Sequence, residues 1–396
     1  MTPERRRVVL TFSLCNFLFG FVNWMVVVYL PVHLRNELEL SPGRIGVLIG
    51  AYVVTMLLLI VPLGAFSDRV SPKRIVQFGA GLFVVYALLL MVARTFWGLL
   101  AAQVIGGTGD AILLIVLPAL LYKDLGTAKR GQSIGLFMAG MTLGFALGPL
   151  ASGALLDGAG LPTTALFGVV GGVAALLLAS TVWLKDAPPF AIRLADYLGD
   201  LRRREVLLLV IAIAGIGVHF GQERTNYPLF LRNVAHFSQW DVGVLFALLG
   251  AWMGGISLLV GRIFDRATHL VVLIGAGLAL SGGMHIATPH VGTFWGIFVV
   301  RAIHTAGDVV VIFCFSVLIA SIFPQRRLGG NTGFMLLFRA TGAVVGATVA
   351  GQLDKAFPTL KVSFAFAGGA MILCGAVLVL NWRTLARVSR GMRTGN

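Results

Sequence analysis

The chain has 396 residues, of which 58% are hydrophobic and 12% are charged, and its mean hydropathy is +0.91. A soluble domain carries about 25% charged residues and could not hide so much apolar surface from water, so a soluble fold is excluded. The 50 glycines lie inside apolar stretches, which fits close packing of membrane helices and excludes a collagen-like chain.

Twelve apolar runs are long enough to cross a bilayer, since about 20 helical residues span its hydrocarbon core. The predicted spans are 8–32, 43–66, 75–93, 96–121, 132–156, 162–184, 206–231, 239–261, 269–288, 294–322, 331–353 and 361–382. The predicted fold class is therefore an all-α membrane protein of twelve transmembrane helices. No removable signal peptide is expected, because the first run is itself long enough to span.

The predicted loops carry the basic residues unevenly. Most of the 31 Lys and Arg residues lie on one side when the amino terminus is placed in the cytoplasm, as the positive-inside rule requires. Both termini are therefore predicted to be cytoplasmic, and the short termini without an Asn-x-Ser/Thr sequon favour a bacterial inner membrane. This topology also accounts for the formal net charge of +15, so we predict no nucleic-acid partner.

An internal repeat divides the chain at an offset near half its length. The matched residues are Gly64, Asp68 and Arg69 with Gly261, Asp265 and Arg266; Gly109 and Asp110 with Gly307 and Asp308; and Gly144, Gly148 and Gly153 with Gly342, Gly346 and Gly351. We therefore predict two pseudo-symmetric six-helix bundles, 1–185 and 206–396, joined by a cytoplasmic linker at 186–205.

The loop after the second span, Gly64 to Arg74, resembles the signature of the major facilitator superfamily. The repeat, helix number and linker extend this resemblance over the whole chain. It implies a fold whose first, fourth, seventh and tenth helices line a central cavity, and a cytoplasmic gate at which an acid approaches the start of the eleventh helix. The implied gate residues are Gly64, Asp68, Arg69, Lys73, Arg74, Asp265 and Arg266, and Ser71 with Pro72 departs from the family pattern.

The fifth span contains Gly144, Gly148, Pro149 and Gly153, which resemble a motif of proton-coupled exporters in the superfamily, in particular its drug/proton antiporter branch. Glycines four or five apart give a smooth helix face, and proline bends the helix. We expect this face to contact the other half when the outer side is closed. Ordinary packing of small residues is the alternative.

Ionisable residues deep in a span are costly and usually face a cavity or a partner. Asp110 and Asp308 lie near the middle of the fourth and tenth spans, so we expect both in the cavity. Arg301, His304 and Asp308 follow at spacings of three and four, which places them on one helix face. Glu223 lies at a similar depth in the seventh span, so a Glu223 to Arg301 ion pair is predicted.

A buried carboxyl near an arginine can titrate near physiological pH, because burial and the neighbouring charge act on its pKa in opposite directions. The candidate proton-coupling residues are Asp308, Asp110, Glu223 and His304, with Asp308 the best single candidate and Arg301 and His304 tuning it. Permanently paired acids and hydrogen-bonded packing histidines, His219 included, are the alternatives. Candidate substrate-cavity residues are Arg301, Arg224, Arg339, Gln103, Asn23, Trp24, Gln222 and Trp252.

The predicted function is a proton-coupled transporter that works by alternating access and exports small amphipathic or lipophilic molecules. Arginines within the second-half spans leave a proton-linked carrier of an organic anion as the alternative, and a membrane sensor or lipid scramblase represents a different class. The sequence contains no nucleophile and base arrangement and no metal-ligand spacing, so neither an enzyme nor a cofactor nor a metal site is expected. The expected partners are the small-molecule substrate, protons and membrane lipid, and the expected state is a monomer.

Overall fold

A computed structural model describes residues 3–67, 70–124, 130–186, 202–264, 270–323, 328–357 and 359–383. Over these residues the regular secondary structure is helical, and twelve helices are long and apolar enough to cross a membrane. The predicted all-α membrane fold is therefore confirmed.

The twelve helices of the described chain are numbered in sequence order. Their bounds are α1 Pro3–Val32, α2 Pro42–Ser67, α3 Pro72–Val92, α4 Phe96–Asp124, α5 Arg130–Gly153, α6 Thr163–Ser180, α7 Arg204–Leu229, α8 Gln239–Phe264, α9 Leu270–Ala287, α10 Phe294–Ile322, α11 Leu328–Ala356 and α12 Lys361–Leu380. Single π-helical turns, His33–Glu37, Ala154–Gly158 and Phe230–Val234, extend α1, α5 and α7. Each predicted span overlaps one of these helices.

Two compact units make up the chain, Met1–Ile192 with Leu231–Gly250 (unit 1) and Arg193–Phe230 with Ala251–Asn396 (unit 2). In unit 1, α1 packs against α5 and α6, and α3 packs against α4 and α6. In unit 2, α7 packs against α11 and α12, and α9 packs against α10 and α12. Each of these pairings recurs six helices later, as the sequence repeat predicts.

The segment Leu231–Gly250 belongs to unit 1, although the repeat assigns it to the second six-helix half. Its contacts explain this grouping. Tyr29 Oη donates a hydrogen bond of 2.8 Å to the Gln239 carbonyl, and the Asp157 carboxylate accepts one of 2.7 Å from the Trp240 backbone N–H. Backbone groups at the start of α8 are thus held by side chains from α1 and the turn after α5.

The chain reversals after α1 and α7 have the same local conformation. Arg35 and Arg232 each donate a hydrogen bond to the carbonyl five residues later. Glu39 and His236 both have positive φ, at 52° and 56°, a conformation uncommon for residues other than glycine. The repeat therefore extends to backbone geometry that its sequence match did not reveal.

Close glycine crossings fix the depth of the two intramembrane aspartates. A Cβ on Gly109 of α4 would lie 3.0 Å from the Gly79 carbonyl oxygen of α3, and one on Gly307 of α10 would lie 2.8 Å from the Gly277 oxygen of α9. Such approaches need residues without a side chain. Asp110 and Asp308 follow these glycines directly, so each acid is positioned by a backbone contact.

Candidate functional site

A set of polar and ionisable side chains lies inside unit 2, where α7, α9 and α10 meet. This polar cluster consists of His219, Gln222 and Glu223 of α7, Ser281 and His285 of α9, and Arg301, His304 and Asp308 of α10. All are buried except Glu223, whose side chain is 18% exposed. Because unpaired polar groups are expensive in an apolar interior, each member needs partners within the cluster.

Helical spacing brings the members of each helix to one face. His219 and Glu223 are four residues apart on α7, and Ser281 and His285 are four apart on α9. On α10 the spacings of three and four residues predicted for the arginine, histidine and aspartate have the same effect. The polar faces of α7, α9 and α10 thus converge to form the polar cluster.

Four side chains form a continuous line of contacts, here called the carboxyl–imidazole row. His219 Nε2 lies 2.9 Å from Glu223 Oε2 and 3.0 Å from His304 Nε2. His304 Nε2 in turn lies 3.3 Å from Asp308 Oδ2. The row therefore connects a carboxylate on α7 with one on α10 through two imidazole rings.

The hydrogen bonds of His304 determine which of its ring nitrogens carries a proton. His304 Nδ1 lies 2.9 Å from the Ser281 carbonyl oxygen, which can only accept, so Nδ1 is a donor. In the neutral ring Nε2 is then a lone pair facing the Asp308 carboxylate, whose other oxygen accepts from Ser281 Oγ at 2.6 Å. One added proton turns the His304–Asp308 contact into a charge-assisted hydrogen bond, so this pair can hold and release a proton.

Two neighbouring groups compensate the positive charge of Arg301. Its guanidinium forms an ion pair with Glu223 and lies 4.4 Å from the centre of the Tyr227 ring, close enough for a cation–π interaction. His285 Nδ1 lies 3.5 Å from Arg301 Nη1, and His285 Nε2 lies 2.6 Å from Gln222 Oε1. The ion pair predicted from the equal depth of Glu223 and Arg301 is confirmed as a contact.

Two members of the polar cluster were not among the predicted residues. His285 and Ser281 lie in the ninth predicted span, at positions where the first-half repeat gives no polar counterpart. The signal that could have found them was the presence of a third intramembrane histidine, four residues after a serine on the same helix face. Sequence spacing alone does not indicate that α9 meets α7 and α10.

The candidate residues of the first half lie in unit 1 and have a different environment. Asp110 is buried and accepts a hydrogen bond of 3.2 Å from Asn23 Nδ2. Gln103, which the repeat matches to Arg301, accepts one of 3.3 Å from Tyr86 Oη. Trp24 packs edge-on against Phe145, with ring centres 4.5 Å apart. Asp110 and Asn23 are thus brought together, and their place in a cavity stays a prediction.

The remaining cavity candidates are Trp252, Arg339 and Arg224. The Trp252 indole N–H donates a hydrogen bond of 2.8 Å to the Ala302 carbonyl and so ties α8 to α10. Arg339 lies with its guanidinium 5.9 Å from the centre of the Phe220 ring, and both Arg339 and Arg224 are half-buried. The Trp252 contact indicates a packing role, the alternative to substrate contact.

The gate candidates Asp68, Arg69, Asp265 and Arg266 lie outside the described residues, and Gly64 lies in α2. Ser71 caps α3, accepting from the Arg74 backbone N–H at 3.3 Å, and Pro72 starts that helix. Lys73 Nζ donates to the Val182 carbonyl at 2.6 Å. The Ser-Pro departure from the family pattern is therefore a helix start, and Lys73 binds at the end of α6.

The expected contact of the exporter-like motif with the other half, when the outer side is closed, stays a prediction. In the structure the glycines of the motif lie in two different contacts. Gly144 and Gly148 each lie against the α1 backbone, where an added Cβ would approach Phe21 N to 2.5 Å or Phe21 O to 2.7 Å. Gly153 instead lies against the Gln239 carbonyl, 2.4 Å from an added Cβ. The reason is helical geometry, because nine residues at about 100° each place Gly153 on the face opposite Gly144.

The family model of the Major Facilitator Superfamily matches residues 12–297. The chain belongs to the major facilitator superfamily. As a member, it is an integral multi-pass membrane protein and a secondary transporter of small molecules, not an enzyme.

Two curated relatives and one solved structure are similar to this transporter. A "Probable sugar efflux transporter" of Helicobacter pylori strain G27 is 28% identical over 65% of this chain and 66% of that relative. The "Multidrug resistance protein 1" of Bacillus subtilis strain 168 is 23% identical over 97% of this chain and 99% of that relative. A bacterial homologue of the human lysosomal transporter Spinster, 16% identical, has the same fold with a TM-score of 0.77 over 98% of both chains.

Proposed function

We propose that this superfamily member is a proton-coupled exporter that works by alternating access. The carboxyl–imidazole row carries the proposal. Three of its four members are buried in membrane-spanning helices, its two carboxyl groups and two imidazoles are in contact, and one added proton improves its hydrogen bonding. A group of this kind changes its proton affinity when alternating access changes its hydration.

Export is the direction that the relatives favour. The Bacillus subtilis relative that aligns over 97% of this chain is named as a multidrug resistance protein, and the Helicobacter pylori relative is named as a sugar efflux transporter. Exporter-like Gly144, Gly148, Pro149 and Gly153 support the same direction. We therefore place the substrate's exit on the outer side, with both termini in the cytoplasm of a bacterial inner membrane and a monomer as the working unit.

Small amphipathic or lipophilic compounds are the proposed substrates, and the sugar efflux relative makes a sugar the second candidate. An organic anion is less favoured, because the Arg301 charge that would attract it is already compensated by Glu223. The amide side chains of the predicted cavity residues Gln222 and Asn23 suit uncharged hydrogen-bonding groups.

The test is transport into proteoliposomes under an imposed pH gradient. Uptake of a lipophilic cationic dye, a labelled disaccharide and a labelled aromatic carboxylate is measured in proteoliposomes and in empty liposomes. We expect the dye, or else the disaccharide, to accumulate only when the gradient is present and to stop when a protonophore collapses it.

The coupling variant for this assay is Asp308→Asn, and its matched control is Asp241→Asn. The control makes the same carboxylate-to-amide change in the first turn of α8, where the Asp241 side chain accepts from the Ser238 backbone N–H at 3.0 Å and an asparagine carbonyl can accept the same bond. Transport that persists at full rate after the gradient is collapsed contradicts proton coupling. Accumulation of the carboxylate alone supports the organic-anion carrier instead.

A further inference from the structure

The three histidines of the polar cluster form a second kind of site. His219, His285 and His304 come from α7, α9 and α10, are fully buried, and each offers a ligand nitrogen within 4.8 Å of the others. The three rings are in contact with one another as well as with their hydrogen-bond partners, so their nitrogens share one small volume. We propose that this group binds one divalent transition-metal ion, with Zn²⁺ as the representative cation.

Ring positions agree with tetrahedral coordination. With metal–nitrogen bonds of about 2.0–2.1 Å and tetrahedral angles, the centres of three imidazole rings lie about 5 Å apart. The observed separations are 4.7 Å for His219 and His285, 4.7 Å for His219 and His304, and 5.4 Å for His285 and His304. Small side-chain adjustments suffice to admit a metal ion among them.

The hydrogen bonds orient two of the rings as ligands. A metal-binding histidine usually donates its other ring N–H to a carbonyl or carboxylate, which fixes the tautomer. His304 Nδ1 donates to the Ser281 carbonyl and leaves Nε2 as a lone pair toward the group. His285 Nε2 lies 2.6 Å from Gln222 Oε1, an acceptor that makes Nδ1 the unprotonated nitrogen, and Arg301 Nη1 lies 3.5 Å from that nitrogen.

A carboxylate is available as the fourth ligand. Asp308 Oδ2 lies 3.3 Å from His304 Nε2, the separation that two vertices of such a tetrahedron have at about 2.0 Å from the metal. Neutral histidines with ionised Glu223 and Asp308 and cationic Arg301 give the cluster a net charge of −1, which attracts a divalent cation. The imidazole-rich donor set favours Zn²⁺, Co²⁺, Ni²⁺ or Cu²⁺ over Mg²⁺ and Ca²⁺.

The sequence predicted no metal site, because the three histidines are separated by 66 and 19 positions and follow no ligand motif. This proposal does not rest on proton coupling, since it concerns binding in the absence of any gradient. The metal titration and the transport assay therefore test the two proposals separately, although both use His304 and Asp308.

The experiment is metal titration of the detergent-purified full chain, carried out without a polyhistidine tag. Zn²⁺ binding is measured by calorimetry, and Co²⁺ is followed by its visible absorption, which is strong for tetrahedral sites. We expect one ion per chain, an intense Co²⁺ band, a rise in melting temperature with Zn²⁺, and no effect of Mg²⁺.

His285→Gln and His219→Gln are the ligand variants, and His290→Gln is the matched control because His290 is exposed and lies outside the cluster. Each ligand variant should lose at least about 100-fold in Zn²⁺ affinity and the Co²⁺ band. Gln222→Leu removes the acceptor that orients His285 and should lose about 10–100-fold in Zn²⁺ affinity. Equal affinity in the wild type, both ligand variants and the control overturns the site, as does the absence of saturable binding by the wild type. Melting curves without metal identify any variant that is unfolded.

Discussion

Asp308 is the residue on which the proposed coupling chiefly depends. It contacts His304 and Ser281 and lies within the membrane-spanning part of α10. Its neutral and charged forms make different hydrogen bonds in the same position, which is the property that a coupling site needs. Asp110 has an amide neighbour, Asn23, in place of an imidazole.

Asp308→Asn should abolish gradient-driven accumulation while leaving substrate binding measurable, because the amide keeps the shape but cannot exchange the proton. Binding by the variant should also depend less on pH than binding by the wild type. Proteoliposome uptake and equilibrium binding of the same substrate, each measured at several pH values, check this. Full proton-driven accumulation by the variant would move the assignment to Asp110 or Glu223.

The buried Glu223–Arg301 pair gives a second prediction at this scale. Glu223→Gln leaves the Arg301 guanidinium without its anion and should destabilise the protein by about 3–5 kcal/mol. The double variant Glu223→Gln with Arg301→Gln removes both charges and should lose less than the sum of the single variants. Denaturant unfolding in detergent micelles measures the cycle, and additive losses would show that the two charges act independently.

Helix packing positions this network through glycines. A Cβ on Gly346 of α11 would lie 1.9 Å from the Val218 carbonyl oxygen of α7, next to His219 of the row. On α7, a Cβ on Gly221 would lie 1.9 Å from the Ala343 oxygen of α11. The close approach of α7 and α11 therefore determines where the row begins.

Gly346→Ala should lower stability by about 1–3 kcal/mol, because the added methyl group forces the two helices apart. It should also lower transport, because α7 carries His219 and Glu223. Gly369→Ala of α12 is the control, since a Cβ there meets nothing within 4 Å and alanine improves helix propensity by about 1 kcal/mol. Melting curves and uptake rates of the two variants are compared, and equal behaviour contradicts a packing role for Gly346.

Sequence patterns predicted some features of this protein and could not predict others. Hydrophobic run length predicted twelve spans because bilayer thickness imposes it, and equal depth predicted the Glu223–Arg301 contact. His285 could not be predicted, because its neighbours come from two other helices whose rotation about their axes depends on packing. The packing of Gly144 and Gly148 against α1 could not be predicted for the same reason. Helical geometry alone predicts only that Gly153 lies on a different face of the helix.

At the scale of the whole molecule, the two halves share a backbone plan but differ in chemistry. Where the second half has Arg301, His304 and Asp308, the first has Gln103, Gly106 and Asp110. The Gly106 position is covered by the Tyr86 ring, whose nearest atom would lie 2.8 Å from an added Cβ. The imidazole that could relay a proton is thus present in one half and replaced by a packed aromatic ring in the other.

This asymmetry predicts unequal effects of the two repeat-related aspartates. Asp110→Asn should keep a substantial fraction of gradient-driven transport and its pH dependence, since Asn23 can hydrogen-bond to an amide as well as to a carboxylate. Parallel uptake measurements on Asp110→Asn and Asp308→Asn check it. Complete loss in both variants would indicate that the two acids act as one coupled pair.

The cytoplasmic gate that the family resemblance implies gives the last prediction, which concerns the balance between conformations. Ser71 donates a hydrogen bond of 2.5 Å to Asp186, and Lys73 binds the Val182 carbonyl, so the start of α3 is tied to the end of α6 within unit 1. The residues that follow the proposed gate residue in the sequence, Ser71 and Lys73, therefore hold α3 against α6.

A carboxylate at a helix amino terminus contributes about 1 kcal/mol, enough to shift the ratio of two states about fivefold. Asp68→Asn should therefore shift the protein toward the inward-facing state without abolishing substrate binding, and Asp68→Glu should shift it less. Single cysteines at the cytoplasmic and outer ends of the cavity, introduced after replacement of Cys15, Cys314 and Cys374, report the shift through labelling rates. In Asp68→Asn the cytoplasmic cysteine should react faster and the outer one more slowly, and unchanged rates at both ends would rule out a latch at this residue.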